Sequence, residues 1–422
     1  MSQVNINSHI NWKRVLFDFI LTMIFPIFVG IPRLVFGVMK NKMEDKTKYA
    51  VYIVCISAIV ASIIATKPAT GDQITYAAAY ANVPEQGFVG SLINIYGIQT
   101  TWEETKTHIS AEFMNGVYNY VGYYLTFGYY PLFLLFYFTI EFSLIGFGLY
   151  HYCRRMERPL VPIVFGMLFL LFFYLFFLMC SQLQKQYLGQ AIMMYVLGCY
   201  ADYGKMTKKL WALSCISIFT HQSMMLFLPF LLFKPFHKKL SMKSLMLLML
   251  IVVGFIKIGP QLTGGFVNSA QNSDQSILMH GASRFASATE DSDGNTMDMV
   301  QFLVVCIPLF YIFLKRLWLE RNTLSAHTAF ILNIVLMLTM VIIAMSSMPL
   351  VQYRYFNTTF AFLPFVYPFF FTNTKVRDIF LEVVGIVMVI IMFIMIPNTG
   401  RPYAPQENLI FEPPFLLVLQ YF

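Results

Sequence analysis

Long uncharged stretches alternate along this chain with short polar ones. Eleven apolar segments can be traced, roughly 15–39, 50–66, 128–150, 160–180, 187–201, 210–233, 244–260, 299–315, 326–347, 355–373 and 379–396. An apolar run of about 18 residues or more is long enough to cross the hydrocarbon core as a helix. A helix satisfies its own backbone hydrogen bonds where lipid cannot. Leu160–Cys180 and Ala326–Met348 contain no acid, lysine or arginine, and the alternation of barrel strands is absent. The pattern predicts an all-α fold: one polytopic transmembrane helical bundle over 1–422, with about 9–12 membrane segments. Two segments carry residues that allow a break, Pro26, Gly30 and Pro32 in 15–39 and Thr220-His221 in 210–233. The expectation therefore includes broken or re-entrant helices there, with an ordinary straight helix as the alternative.

Composition agrees. The chain is 58% hydrophobic and 12% charged over 422 residues, whereas soluble chains carry about a quarter charged residues. A soluble enzyme is excluded. The formal charge of +8 sits in short clusters between apolar runs and forms no continuous basic face, which excludes a nucleic-acid partner. The six cysteines form no CxxC pair and no disulfide framework. The first apolar stretch is too long for a cleavable signal peptide, and no small-residue cleavage site follows it.

Charge also orients the chain. The connections 40–48, 151–158, 202–209, 234–243, 315–321 and 374–378 are net positive, while 67–117 and 261–298 are long and acidic. The positive-inside rule places the basic set in the cytoplasm and the two acidic loops outside. Segments 15–39 and 210–233 have basic residues on both sides. Each therefore enters and leaves from the cytoplasm, or the rule fails there.

Ionisable residues at membrane depth are costly and mark functional sites by default. Five places on the outer side qualify: Asp72 with Tyr76; Glu112; Lys185 and Gln186 among Gln182, Gln184 and Gln190; His221 within Thr220-His221-Gln222-Ser223; and Arg354 within Gln352-Tyr353-Arg354-Tyr355. Arg284 in the second outer loop is a weaker sixth. Each has a plainer reading. Asp72 fits a helix cap, Glu112 a solvated loop acid, and His221 a structural histidine. Arg284 fits an ordinary loop residue, and Lys185 and Arg354 fit side chains snorkelling to headgroups. Gathered on one side, however, lysine, arginine and histidine suit a phosphate or pyrophosphate. A nearby carboxylate suits proton abstraction from a hydroxyl. No metal or nucleotide-binding motif is present.

The order of these features resembles a known family, the polytopic O-antigen and exopolysaccharide polymerases of the Wzy- and EpsG-like kind. The resemblance rests on Gly71-Asp72 with Tyr76, on Glu112, on Lys185-Gln186-Tyr187-Leu188-Gly189, on Phe219-Thr220-His221-Gln222-Ser223 and on Arg354-Tyr355. It spans roughly 67–370. One departure stands out: lysine at 185 replaces the family's usual arginine, which keeps the charge and loses the planar fork. The resemblance implies a GT-C-like glycosyltransferase in the bacterial cytoplasmic membrane, with its active site facing outward. It would join oligosaccharide repeat units carried on undecaprenyl pyrophosphate without metal or other cofactor. Its partners would be the bilayer, the lipid-linked glycans, a chain-length regulator and a flippase. Under that resemblance Asp72, Glu112 and His221 are catalytic, while Lys185, Gln186, Arg284, Arg354, Tyr76 and Tyr355 bind substrate. The rival functions are a flippase or transporter of the lipid-linked sugar, a ligase and a membrane acyltransferase.

Overall fold

The computed structural model describes residues 10–25, 46–65, 72–93, 112–154, 182–237 and 326–344, with single positions between and beyond them. Every regular element among the described residues is helical. The chain divides into two compact units, residues 1–226 with 370–422 and residues 227–369.

In the first unit α1 (Trp12–Ile24) starts at Asn11, whose side chain accepts the Arg14 N–H. Next come α2 (Lys46–Ala65), α3 (Asp72–Ala81), α4 (Val83–Ile93) and α5 (Met114–Leu125). They are followed by α6 (Tyr130–Cys153), α7 (Gln184–Tyr203) and α8 (Lys208–Thr220). Phe127 and Gly128, both at positive φ, make the turn into α6. Gly204 at φ 67 closes α7, the left-handed position where a side chain is penalised. Thr207 then caps α8 by accepting the Leu210 N–H.

Pair contacts give the directions. Tyr49 meets Tyr150, and a Cβ on Gly146 would press on Ile53, so α2 and α6 run antiparallel. Gln184 reaches Tyr130 at one end of α6, and Asp202 binds Arg154 at the other, so α6 and α7 run parallel. Asn11 and Thr22 bond Thr47 and Cys55 respectively, which makes α1 and α2 parallel as well. The chain therefore begins α2 from the end at which α1 began, the arrangement that the basic residues flanking segment 15–39 call for.

Central in this unit is α7, buried on nearly every side, as expected of a helix enclosed by others. Small residues let its neighbours approach. A Cβ on Gly198 would collide with the Gly148 backbone of α6, and one on Gly148 would lie 2.8 Å from the Met194 carbonyl. Close backbone approach at small residues is how membrane helices pack when apolar burial gives no preference over lipid. Among the described residues one helix, α6, is long and apolar enough by itself to cross a membrane, with 24 residues and mean hydropathy 1.9.

The elements differ from the sequence expectation in two respects. Segment 187–201 begins at Gln184, so Lys185 and Gln186, expected at a turn, are buried in the first turn of α7. The acidic stretch 67–117 holds α3, α4 and the start of α5, where a loop was expected. Tyr76, Ala79, Tyr80 and Val83 give those helices a buried face, too short in apolar length to register as a spanning segment.

In the second unit the short helix α9 (Leu228–Leu232) leads into a 3-10 turn (Lys234–His237) that packs on α10 (Ala326–Ala344). Asn333 donates to the Phe236 carbonyl, and the His237 ring stacks on Phe330 at 4.6 Å.

Candidate functional site

At His221 the helix α8 stops. His221 has extended dihedrals (φ −153, ψ 124), and a 3-10 turn over Gln222–Phe227 follows. Segment 210–233 is thus broken where Thr220-His221 predicted it. Such a break exposes backbone groups that must find partners, and the partners come from two other elements. Asn115 Nδ2 of α5 donates to the Thr220 carbonyl at 2.9 Å, and the Tyr118 hydroxyl meets Thr220 Oγ1 at 2.9 Å. Glu112 Oε1 accepts the Gln222 N–H at 3.2 Å. Gly189 gives α7 room beside the break, since a Cβ there would lie 3.1 Å from the Ser217 carbonyl and 3.4 Å from the His221 Cβ. Ser217 Oγ donates to the Gly189 carbonyl at 2.6 Å.

Around this break three of the expected site residues converge. Glu112 Oε2 accepts from Lys185 Nζ at 2.5 Å, and its Oε1 lies 3.7 Å from His221 Nε2. His221 Nδ1 is 2.6 Å from Ser223 Oγ. The Lys185 and Glu112 side chains are only 9% and 14% exposed, so their charges are poorly screened by water. Burial alone would raise the Glu112 carboxyl. The charge of His221, then that of Lys185 with its hydrogen bond, and the Gln222 amide outweigh burial and hold the carboxyl below its ordinary range. The result is an ionised carboxylate that accepts from Lys185 of α7 and from the Gln222 amide at the break, with the His221 ring 3.7 Å away. Such a cluster can exchange protons with a hydroxyl and can present positive charge to an oxyanion.

The other expected residues fall elsewhere. Asp72 stands exposed in the first turn of α3, where a carboxylate complements the positive end of the helix. Tyr76, one turn on, is buried. Gln186 is buried beside Lys185. Arg284, Arg354, Tyr353 and Tyr355 lie outside the described residues.

Three features escape the sequence reading. Glu141 is fully buried in the middle of α6, and among the described residues its carboxyl has the Cys180 thiol beside it and no nitrogen or oxygen partner. An acid inside a 24-residue apolar helix was a legible signal. Asp202 takes Arg154 Nε at 2.6 Å and His151 Nδ1 at 3.0 Å on a single oxygen. Asn115 and Tyr118, which brace the break, carry no signal beyond their membership of an aromatic run.

A family model for EpsG matches residues 51–406, while no curated protein and no solved structure matches the chain. The matched span contains Glu112, Lys185, the His221 break and the length of α6. The chain belongs to the EpsG family of polysaccharide polymerase-like membrane proteins.

Proposed function

We propose that this EpsG-family protein is a multi-pass glycosyltransferase of the bacterial cytoplasmic membrane. It polymerises undecaprenyl-pyrophosphate-linked oligosaccharide repeat units into O-antigen, capsule or exopolysaccharide chains at the outer face. In each transfer the acceptor sugar's hydroxyl oxygen bonds to the anomeric carbon of the growing chain. The bond from that carbon to the pyrophosphate oxygen breaks, the pyrophosphate leaves with the electron pair, and the acceptor hydroxyl releases its proton. Positive charge beside the departing oxygen lowers the barrier, and Lys185 is the cation for that role. Glu112 takes the hydroxyl proton, with His221 beside it as second base or phosphate donor. Tyr76 offers a ring for sugar stacking, and Gln186 an amide for sugar hydroxyls. Asp72 is a second candidate base. Arg284, Arg354 and Tyr355 retain the pyrophosphate-binding and sugar-stacking roles that the family resemblance implies.

The observation that carries this reading is the meeting of Glu112, Lys185 and His221, which are 73 and about 109 residues apart along the chain from Glu112. A largely covered carboxylate beside the Lys185 ammonium and the His221 ring suits hydroxyl activation beside an anionic leaving group better than it suits passive lipid contact. The test uses purified lipid-linked repeat units and the protein in proteoliposomes. Wild type is expected to make long chains, and Glu112→Ala and Lys185→Met to leave single units on the lipid, with at least a hundred-fold less polymer (~10²-fold or more for an acid–base group). Wild-type chain lengths from both variants would remove the assignment. Transport of intact units across the bilayer without any new glycosidic bond would favour the flippase.

A further inference from the structure

The donors around Glu112 form an anion site, and the protein fills that site with its own carboxylate. Lys185 Nζ, the Gln222 amide N–H and His221 Nε2 approach two oxygens of one small anionic group at 2.5, 3.2 and 3.7 Å. Each donor comes from a different kind of position: the first turn of a buried helix, the backbone after a helix break, and the break residue itself. A carboxylate presents two oxygens carrying one negative charge. The pyrophosphate bridging lipid and sugar presents four free oxygens and two negative charges, so the same donors favour it electrostatically.

We propose that Glu112 is a built-in competitor for the pyrophosphate site, displaced when the pyrophosphate headgroup of a lipid-linked substrate binds. This rests on the proposed use of lipid-linked pyrophosphates. In the resting arrangement Lys185 is neutralised and the carboxylate is engaged on both oxygens. When an oxyanion takes Lys185 and the Gln222 amide, the carboxylate is freed beside the reacting centre, where a base is needed. Binding of the donor and release of the base then become one event. The base stays engaged until its substrate is present.

The geometry offers a direct probe on the native full-length protein. A carboxylate and an amine 2.5 Å apart are joined by a water-soluble carbodiimide into a zero-length amide, which appears in a peptide mass map as a Glu112–Lys185 crosslink. Inorganic pyrophosphate is expected to suppress this crosslink at least ten-fold while other crosslinks in the chain persist. Sodium chloride at equal ionic strength is expected to leave it in place. Undecaprenyl pyrophosphate in the same assay separates a requirement for the lipid from recognition of the anion alone, and suppression by either ligand supports the proposal. An undiminished crosslink in the presence of both would overturn it. A second measurement needs no crosslink. Glu112→Gln, which removes the competing charge, is expected to bind inorganic pyrophosphate at least ten-fold more tightly than wild type, with the gain abolished by adding Lys185→Met. Equal affinity of wild type and Glu112→Gln would also overturn the proposal. Neither readout requires turnover. A protein that forms no polymer yet passes both tests would lose its proposed function and keep the anion site.

Discussion

Glu112 shows how a single side chain couples stability to chemistry. Its carboxyl titrates lower in the folded protein than in the unfolded chain, because the surrounding donors outweigh burial. A carboxyl shifted in that direction stabilises the fold fully above its unfolded value of about 4.3. The contribution is lost as pH falls through the lower folded value. In detergent the wild-type Tm should therefore drop more steeply below about pH 4.5 than that of Glu112→Gln. Parallel curves would mean that the carboxylate is not held as described. Lys185→Met takes from the poorly exposed Glu112 carboxylate its closest counterion, leaving the Gln222 amide and His221, and is expected to lower Tm. Glu141 is the opposite case. Its carboxyl is buried in α6 with only the Cys180 thiol, a weak donor, beside it among the described residues, and a poorly bonded buried polar group costs about 1–3 kcal/mol. Glu141→Leu is therefore expected to hold or raise Tm, and a clear fall would show that the carboxyl is bonded in the working protein. A Leu variant that is stable but makes no polymer would place Glu141 in the function.

Between elements, close approach sets the geometry. The contact of Gly198 in α7 with Gly148 in α6 leaves no room for a Cβ, so Gly198→Leu must push the two helices apart. Because α7 carries Lys185 and α6 follows the turn from α5, the expected result is a large drop in Tm or in folded yield. Gly204→Ala, at a positive-φ position with open space around it, should cost only about 1 kcal/mol. A mild Gly198→Leu would show that the helices are not packed backbone to backbone. At the far end of the same pair, Asp202 ties α7 to α6 through Arg154 and His151. Its carboxyl is likewise held low: the His151 hydrogen bond and the Arg154 charge outweigh the burial that would raise it. These contacts sort the polar groups to the two ends of the helices. The Glu112 cluster sits at the start of α7 and the end of α8, and the Asp202 cluster at the end of α7, beside the start of α8.

At the scale of the whole molecule, that sorting becomes a prediction about sidedness. Under the proposed function a cysteine at Ser223 should react with a membrane-impermeant maleimide added outside the cell. A cysteine at Lys208 should react only from the cytoplasmic side. Labelling of both from one side would end the outward-facing assignment. Much of this was legible in the sequence, because apolar length and loop charge are local properties that lipid reads directly. Helical content, the α6 segment and the break at Thr220-His221 all follow from such local signals, and the Asp-Tyr, Glu, Lys-Gln and His-x-Ser motifs named the family. That Glu112, Lys185 and His221 lie on one side was expected from the sequence, but which of the gathered charges touch was not legible, since side chains 73 residues apart meet only through the packing of α5, α7 and α8. Nor was the conversion of Lys185 from a turn residue into a buried partner, which depends on where α7 begins and what covers it. Composition and loop charge determined by themselves that the chain is helical and which ends of its helices carry charge. Tertiary structure alone decided which charges face one another, because helix-to-helix distance is set by glycine contacts and by backbone groups freed at a break, and neither has a fixed spacing in the sequence.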